Sequence, residues 1–128
     1  EHYRRHAVAP VLLVRTLLPL LAAGDGARVL MVTSWLGSLA GKTQGGDYAT
    51  CASATGLHML TRTLAYDLAD QEIIVCLGNA GNYATAPDSP SFLVPIEESA
   101  AGLLSVTERL PVEKSGALLD WTGAERPW

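Results

Sequence analysis

Three short apolar runs, separated by longer stretches with helical spacing, limit what this chain can fold into more than any other feature. "ARVLMVTS" (27–34) and "EIIVCLG" (72–78) are almost continuously hydrophobic and rich in β-branched residues. Such runs suit strands buried on both faces of a sheet. A third, "SGALLDWTG" (115–123), reads as a short closing strand and turn. Between and before them lie helix-like segments, giving the order α-β-α-β-α-β. That alternation predicts a parallel sheet with right-handed crossovers. Three parallel strands with an apolar edge are a liability in water, so the pattern is half of a doubly wound domain. Residues 1–128 are expected to form that single partial domain.

The first helical segment, "YRRHAVAPVLLVRTLLPLLAAGDG" (3–26), places Val8, Leu12, Arg15 and Leu18 at helical spacing. The glycines of "GDG" stop it, and Pro10 is expected to kink it. The second, "YATCASATGLHMLTRTLAYDLAD" (48–70), sets Leu57, Leu60, Leu64 and Leu68 on one face, which reads as core. The third, "IEESAAGLLSVTERL" (96–110), carries acids in its first turn and Arg109 in its last, as the helix dipole favours. "WLGSLAGKTQGGD" (35–47) and the proline-rich "NAGNYATAPDSPSFLVP" (79–95) are loops by composition.

Charge and cysteine usage exclude several classes. A net charge of −4 offers neither nucleic acid nor an anionic membrane an electrostatic hold. The apolar run 7–23 contains Pro10, Arg15 and Pro19 and is not read as a membrane span. Charged residues make up only 17% of the chain, so part of the chain is expected to be buried against something else. Cys51 and Cys76 form neither a disulfide framework nor a metal-site spacing. Both are read as buried apolar residues of a reducing, cytoplasmic environment.

These segments together resemble the C-terminal half of a short-chain dehydrogenase/reductase. The likeness is carried by "LLPLLAAGDGARVLMVTSWLGSLAG", "GGDYATCASATGLHMLTRTLAYDLAD", "EIIVCLGNAGNYAT" and the ending "LLDWTGAERPW". It covers essentially the whole chain, and the ending resembles the small carbonyl-reductase-like branch. The resemblance implies a Rossmann-type three-layer α/β/α unit that lacks the N-terminal half of the family fold. It also implies a nicotinamide cofactor, NAD or NADP, and carbonyl or alcohol substrates.

Catalysis in this family rests on a tyrosine and a lysine four residues apart, backed by a serine and an asparagine. Residues i and i+4 share a helix face, so the ammonium lowers the phenol pKa from about 10. The phenol then exchanges a proton with the substrate oxygen as hydride moves. By the resemblance, Ser34 stands at the family serine, with Ser38 a weaker candidate. Aligned on "YATCASA", Thr50 takes the tyrosine's place and Ala54 the lysine's, while His6, four residues before Pro10, takes the asparagine's. The substitution does not depend on the alignment. Tyr3, Tyr48, Tyr66 and Tyr83 are followed at i+4 by Ala7, Ala52, Asp70 and Pro87, so the chain contains no Tyr-x-x-x-Lys. The Gly-rich cofactor turn of the family belongs to the missing half. Of the nicotinamide-facing stretch, Gly81 and Thr85 match and Ala80 replaces a proline. Weak cofactor binding, or none, is expected from this chain alone.

Other patterns carry less. "GSLAGKT" (37–43) has three residues between its glycines where a phosphate-binding loop needs four. His2 and His6 have the i, i+4 spacing of a shared metal but no third ligand, so no metal site is expected. His58 is read as structural. Neither Ser34 nor Cys51 has a histidine partner evident in the sequence, which disfavours a nucleophilic enzyme. The expectation is an oxidoreductase homologue by descent, impaired or inactive as a catalyst. The alternative is a non-catalytic scaffold that pairs as a homo- or hetero-oligomer through its two long helices.

Overall fold

The computed structural model describes residues 1–83, 86, 90 and 93–128. Its elements are a π-helical turn, Arg4–Val8, running into helix α1, Ala9–Ala23; strand β1, Arg28–Thr33; a 3-10 turn, Trp35–Gly37; helix α2, Tyr48–Asp67; strand β2, Ile74–Asn79; helix α3, Ile96–Arg109; and strand β3, Leu118–Asp120. The sheet order is β1-β2-β3, all parallel. Register runs from Arg28 opposite Ile74 to Thr33 opposite Asn79, and Leu77 to Asn79 pair with Leu118 to Asp120.

Alternation along the strands sends side chains into two separate cores. Met31, Val75, Leu77 and Leu118 pack beneath α1 and α2 with Val14, Leu57 and Leu68. Their neighbours Leu30, Ile74, Cys76 and Leu119 face the other way, onto Val106 and Leu110 at the end of α3. The unit is therefore three-layered, as expected. The expectation of uniformly right-handed crossovers needs correction. Steps β1 to β2 and β2 to β3 run in the same direction across the sheet, but α2 and α3 lie on opposite faces. The two connections are consequently of opposite hand, and only one can follow the usual rule.

A second correction concerns β1. Its residues were expected to be buried on both faces, yet only Met31 is buried and Val32 is 60% exposed. The physical reason is position: among the described strands β1 pairs on one side only, so its outer flank is open. Arg28 at its start is nonetheless well held. Its Nη1 donates to the carbonyls of Thr107 and Leu110 at 2.8 and 2.7 Å, capping the negative end of α3.

Pro10 acts through the turn ahead of it. Instead of a simple kink, one π-turn precedes the proline, with the Ala9 N–H reaching back to the Arg4 carbonyl. The inward stripe of the first helical segment is Ala7, Val11, Val14, Leu18 and Leu21, and Leu12 on the opposite side is exposed. The segment Arg4–Ala23 is long and apolar enough to cross a membrane by length and composition, and little of it is buried. On α2 the leucine stripe is core, as expected, with Leu57 and Leu68 buried and Leu60 and Leu64 packed against them.

The C-terminal tail folds back over the ends of the strands. The Trp121 N–H donates to the Asn79 carbonyl, Ser38 Oγ to the Pro127 carbonyl and the Ala40 N–H to the Trp128 carbonyl. Asp120 anchors the turn by accepting from the Thr122 and Ala124 amides, the Thr122 hydroxyl and the Arg126 guanidinium. Burial, the largest influence on its carboxyl, pushes the pKa up. The donors from Thr122 and Arg126 outweigh it, so the net shift is downward.

Candidate functional site

In a parallel α/β sheet the loops after the carboxyl ends of the strands gather at one edge. Here β1 delivers Thr33 and Ser34 to that edge, β2 delivers Asn79 to Gly81, and α2 lies beside the 3-10 turn after β1 through Ala54, Thr55 and His58. A pocket of about 350 Å³ opens at this edge, lined by Trp35, Ser38, Asn79, Gly81, Asn82 and Arg126; Gly81 and Ser38 border it, whereas Ser34, Thr50, Ala54 and His6 do not.

All the site residues singled out from the sequence except Thr85 have a definite place. Ser34 caps the 3-10 turn, its Oγ accepting the Leu36 N–H at 3.2 Å. Thr50 is half-buried in the first turn of α2, and its carbonyl accepts the Ser53 hydroxyl at 3.1 Å. Ala54, one turn on, is buried, and its main chain lies against Gly37: a Cβ added there would meet the Ala54 carbonyl carbon at 2.7 Å. Ser38 is fully engaged, donating to Pro127 and accepting the Gly41 N–H at 2.9 Å. Gly81 has φ +72°, and its N–H donates to Asn79 Oδ1 at 3.3 Å. Thr85 lies outside the described residues.

His6 is exposed and lies against His2 with the rings tilted by 39°, ring centroids 4.4 Å apart. His2 Nδ1 in turn hydrogen-bonds the buried Ser53 hydroxyl at 3.1 Å. This histidine–serine contact joins residues 51 positions apart and was not expected from the sequence. Among the described residues no three of His, Cys, Asp and Glu come close enough to hold a metal ion.

His58 is the most perturbed group of the site. It is 2% exposed, and its Nε2 shares a hydrogen bond with Thr33 Oγ1 at 2.9 Å. Burial, the dominant cause, pulls its pKa from 6.5 to about 4. The Gly37 and Ser34 main chains oppose that shift, yet Nδ1 reaches no hydrogen-bond partner. The ring also meets Trp128 edge-on at 5.9 Å, and the Arg62 guanidinium lies 4.8 Å over that indole. His58 is thus held within the fold between Thr33 and Trp128.

Cys51 departs from its expected burial. It is half-exposed, because the glycine-rich loop ahead of α2 leaves that turn uncovered, and the Lys42 ammonium donates to its sulfur at 3.0 Å. Cys76 is buried in β2, as expected, with burial pushing its thiol pKa up.

No family model matches the chain. It is 36% identical over 123 residues to C-signal of Myxococcus xanthus, covering 96% of this chain and 74% of that protein. It is 31% identical over 128 residues to 1-hydroxy-2-glutathionyl-2-methyl-3-butene dehydrogenase of Rhodococcus sp. (strain AD45), covering 55% of it. Among solved structures, the NADPH-bound carbonyl reductase from chicken fatty liver superposes with a TM-score of 0.88 at 27% identity. That match takes in 98% of this chain and 55% of the reductase. The chain therefore spans about three quarters of one relative and about half of the other two proteins.

Proposed function

This chain belongs to the short-chain dehydrogenase/reductase family, and from that premise we propose that it is an oxidoreductase homologue of carbonyl or alcohol substrates whose catalytic step is impaired. The observation that supports this most directly is the first two turns of α2. Where the family presents a phenol and an ammonium, this helix carries Thr50, whose own carbonyl is occupied by Ser53, and the buried Ala54. A threonine hydroxyl is far less acidic than a phenol, and alanine brings no charge to assist it. Ser34 remains as a hydroxyl able to hold a substrate oxygen, but no Tyr-x-x-x-Lys pair stands in the chain to deliver the proton as the family does.

Among the described residues, Gly81 does not make a nicotinamide site by itself. The Gly81 N–H is already taken by Asn79. The Trp121 indole closes on the same glycine, with Nε1 3.0 Å from where a Cβ would stand. No step through the cofactor follows from this geometry. The test is calorimetric titration with NADPH and NADH, then an assay with a panel of carbonyl substrates. Little or no binding and no turnover are expected. Cofactor oxidation that disappears in Ser34→Ala would overturn the reading.

A second reading, a non-catalytic partner, is favoured by the apolar surface of the long helices. Leu12, Leu13 and Leu20 of α1 and Met59 and Tyr66 of α2 are each at least half exposed. One relative, moreover, is named as a signal and not as an enzyme. Pairing of α1 and α2 with a second copy or another chain would remove that surface from water. Sedimentation at micromolar concentration tests it. A monodisperse monomer whose helix amides exchange without protection would rule it out.

A further inference from the structure

The chain has two cysteines and, in Lys42 and Lys114, two lysines, and one of each meet. Lys42 Nζ stands 3.0 Å from Cys51 Sγ, and neither side chain is fully buried. The remaining pair cannot compete. Lys114 is bound to Glu125 at 2.8 Å, and Cys76 sits 1% exposed in the middle of β2. We propose that Lys42 and Cys51 form a covalent modification site, at which dioxygen converts the amine–thiol pair to a nitrogen–oxygen–sulfur bridge.

The step balances. Once the Lys42 ammonium has passed one proton to water, the Cys51 S–H and two N–H bonds are involved, of which one N–H survives. One atom of dioxygen forms the new N–O and O–S bonds, and the other leaves as water with the two released hydrogens. Sulfur and nitrogen give up two electrons each, and dioxygen takes four. A single oxygen spans the present N···S separation after a small approach of the flexible lysine. Sulfur without a nearby amine would instead climb the sulfenic to sulfonic series.

Position gives the bridge a consequence. Lys42 follows Gly41, which lines the pocket at the strand ends, and Cys51 follows Thr50 in the first turn of α2. A bond between residues 42 and 51 would tie the pocket's loop to that helix. The oxidised form would then hold rigid what the reduced form leaves free to move.

Two measurements on the intact protein test this. Treated with o-phthalaldehyde, an amine and a thiol in contact give a fluorescent isoindole. Fluorescence is expected in the unmodified protein and in Cys76→Ser, and its loss in Lys42→Met and Cys51→Ser. After exposure to air-saturated buffer, peptide mapping without reductant should show residues 42 and 51 joined, with one oxygen gained and two hydrogens lost. A thiol reductant should reverse that mass change. Absence of the isoindole would overturn the proposal. So would oxidation of Cys51 to its acids or to an intermolecular disulfide with Lys42 unmodified. Circular dichroism of both variants separates a lost contact from a lost fold.

Discussion

Acidifying the protein from pH 7.5 to 4.5 should destabilise it through His58. In the unfolded chain this imidazole binds a proton near pH 6.5. In the folded chain it does so only near pH 4, chiefly because burial strips water from the charged form. The unfolded state therefore holds more protons between those values. Stability is fully present above about pH 6.5 and is lost as pH falls towards about 4. A shift of two to three pH units corresponds to about 3 kcal/mol. The structure supports a penalty of that order: the ring is 2% exposed, wedged against Gly37 and edge-on to Trp128. With a urea slope of about 1.5 kcal/mol per molar, the unfolding midpoint should fall by about 2 M across this range. His58→Gln cannot take up the proton, so its midpoint should change far less. Asp120 does not confuse the window, because its carboxyl lies below the ordinary carboxylate range. Parallel midpoint curves for the two proteins, or an imidazole NMR titration centred near 6.5, would refute the reasoning.

Further perturbations test the packing around the site. Gly37→Ala places a methyl 2.6 Å from the His58 ring and 2.7 Å from the Ala54 main chain; overpacking of this kind should cost about 1–3 kcal/mol, read as a lowered thermal midpoint. Arg28→Met leaves the Thr107 and Leu110 carbonyls without their guanidinium donor and should cost about 1–3 kcal/mol by urea unfolding. In Asp120→Asn, one carboxylate oxygen that accepts from Thr122 or Arg126 becomes a donor. A loss of about 2 kcal/mol is expected at neutral pH. Because the Asp120 pKa is depressed in the folded state, the stability it contributes is present above about 3.9 and lost as pH falls through its folded value; the variant and parent curves should therefore converge in acid.

Element type and order were legible in the sequence because hydrophobic period and turn chemistry are local. The runs 27–34 and 72–78 became β1 and β2, and the acid-to-arginine polarity of 96–110 became α3. The missing Tyr-x-x-x-Lys was equally plain, since that pairing depends only on spacing along one helix. The leucine stripe of α2 followed from the same periodicity.

Tertiary structure decided whatever depends on neighbours distant in the chain. Among the described strands it left β1 paired on one side only, because a strand's burial is set by what lies beside it and not by its own composition. It placed α2 and α3 on opposite faces, which no local pattern encodes. It buried His58 against Thr33, joined His2 to Ser53 across 51 positions, and brought Lys42 to a cysteine that composition alone had assigned to the core. Periodicity reports which face of a segment is apolar. Contact, desolvation and charge environment arise only when segments meet, so pKa shifts and reactive pairs are properties of the fold.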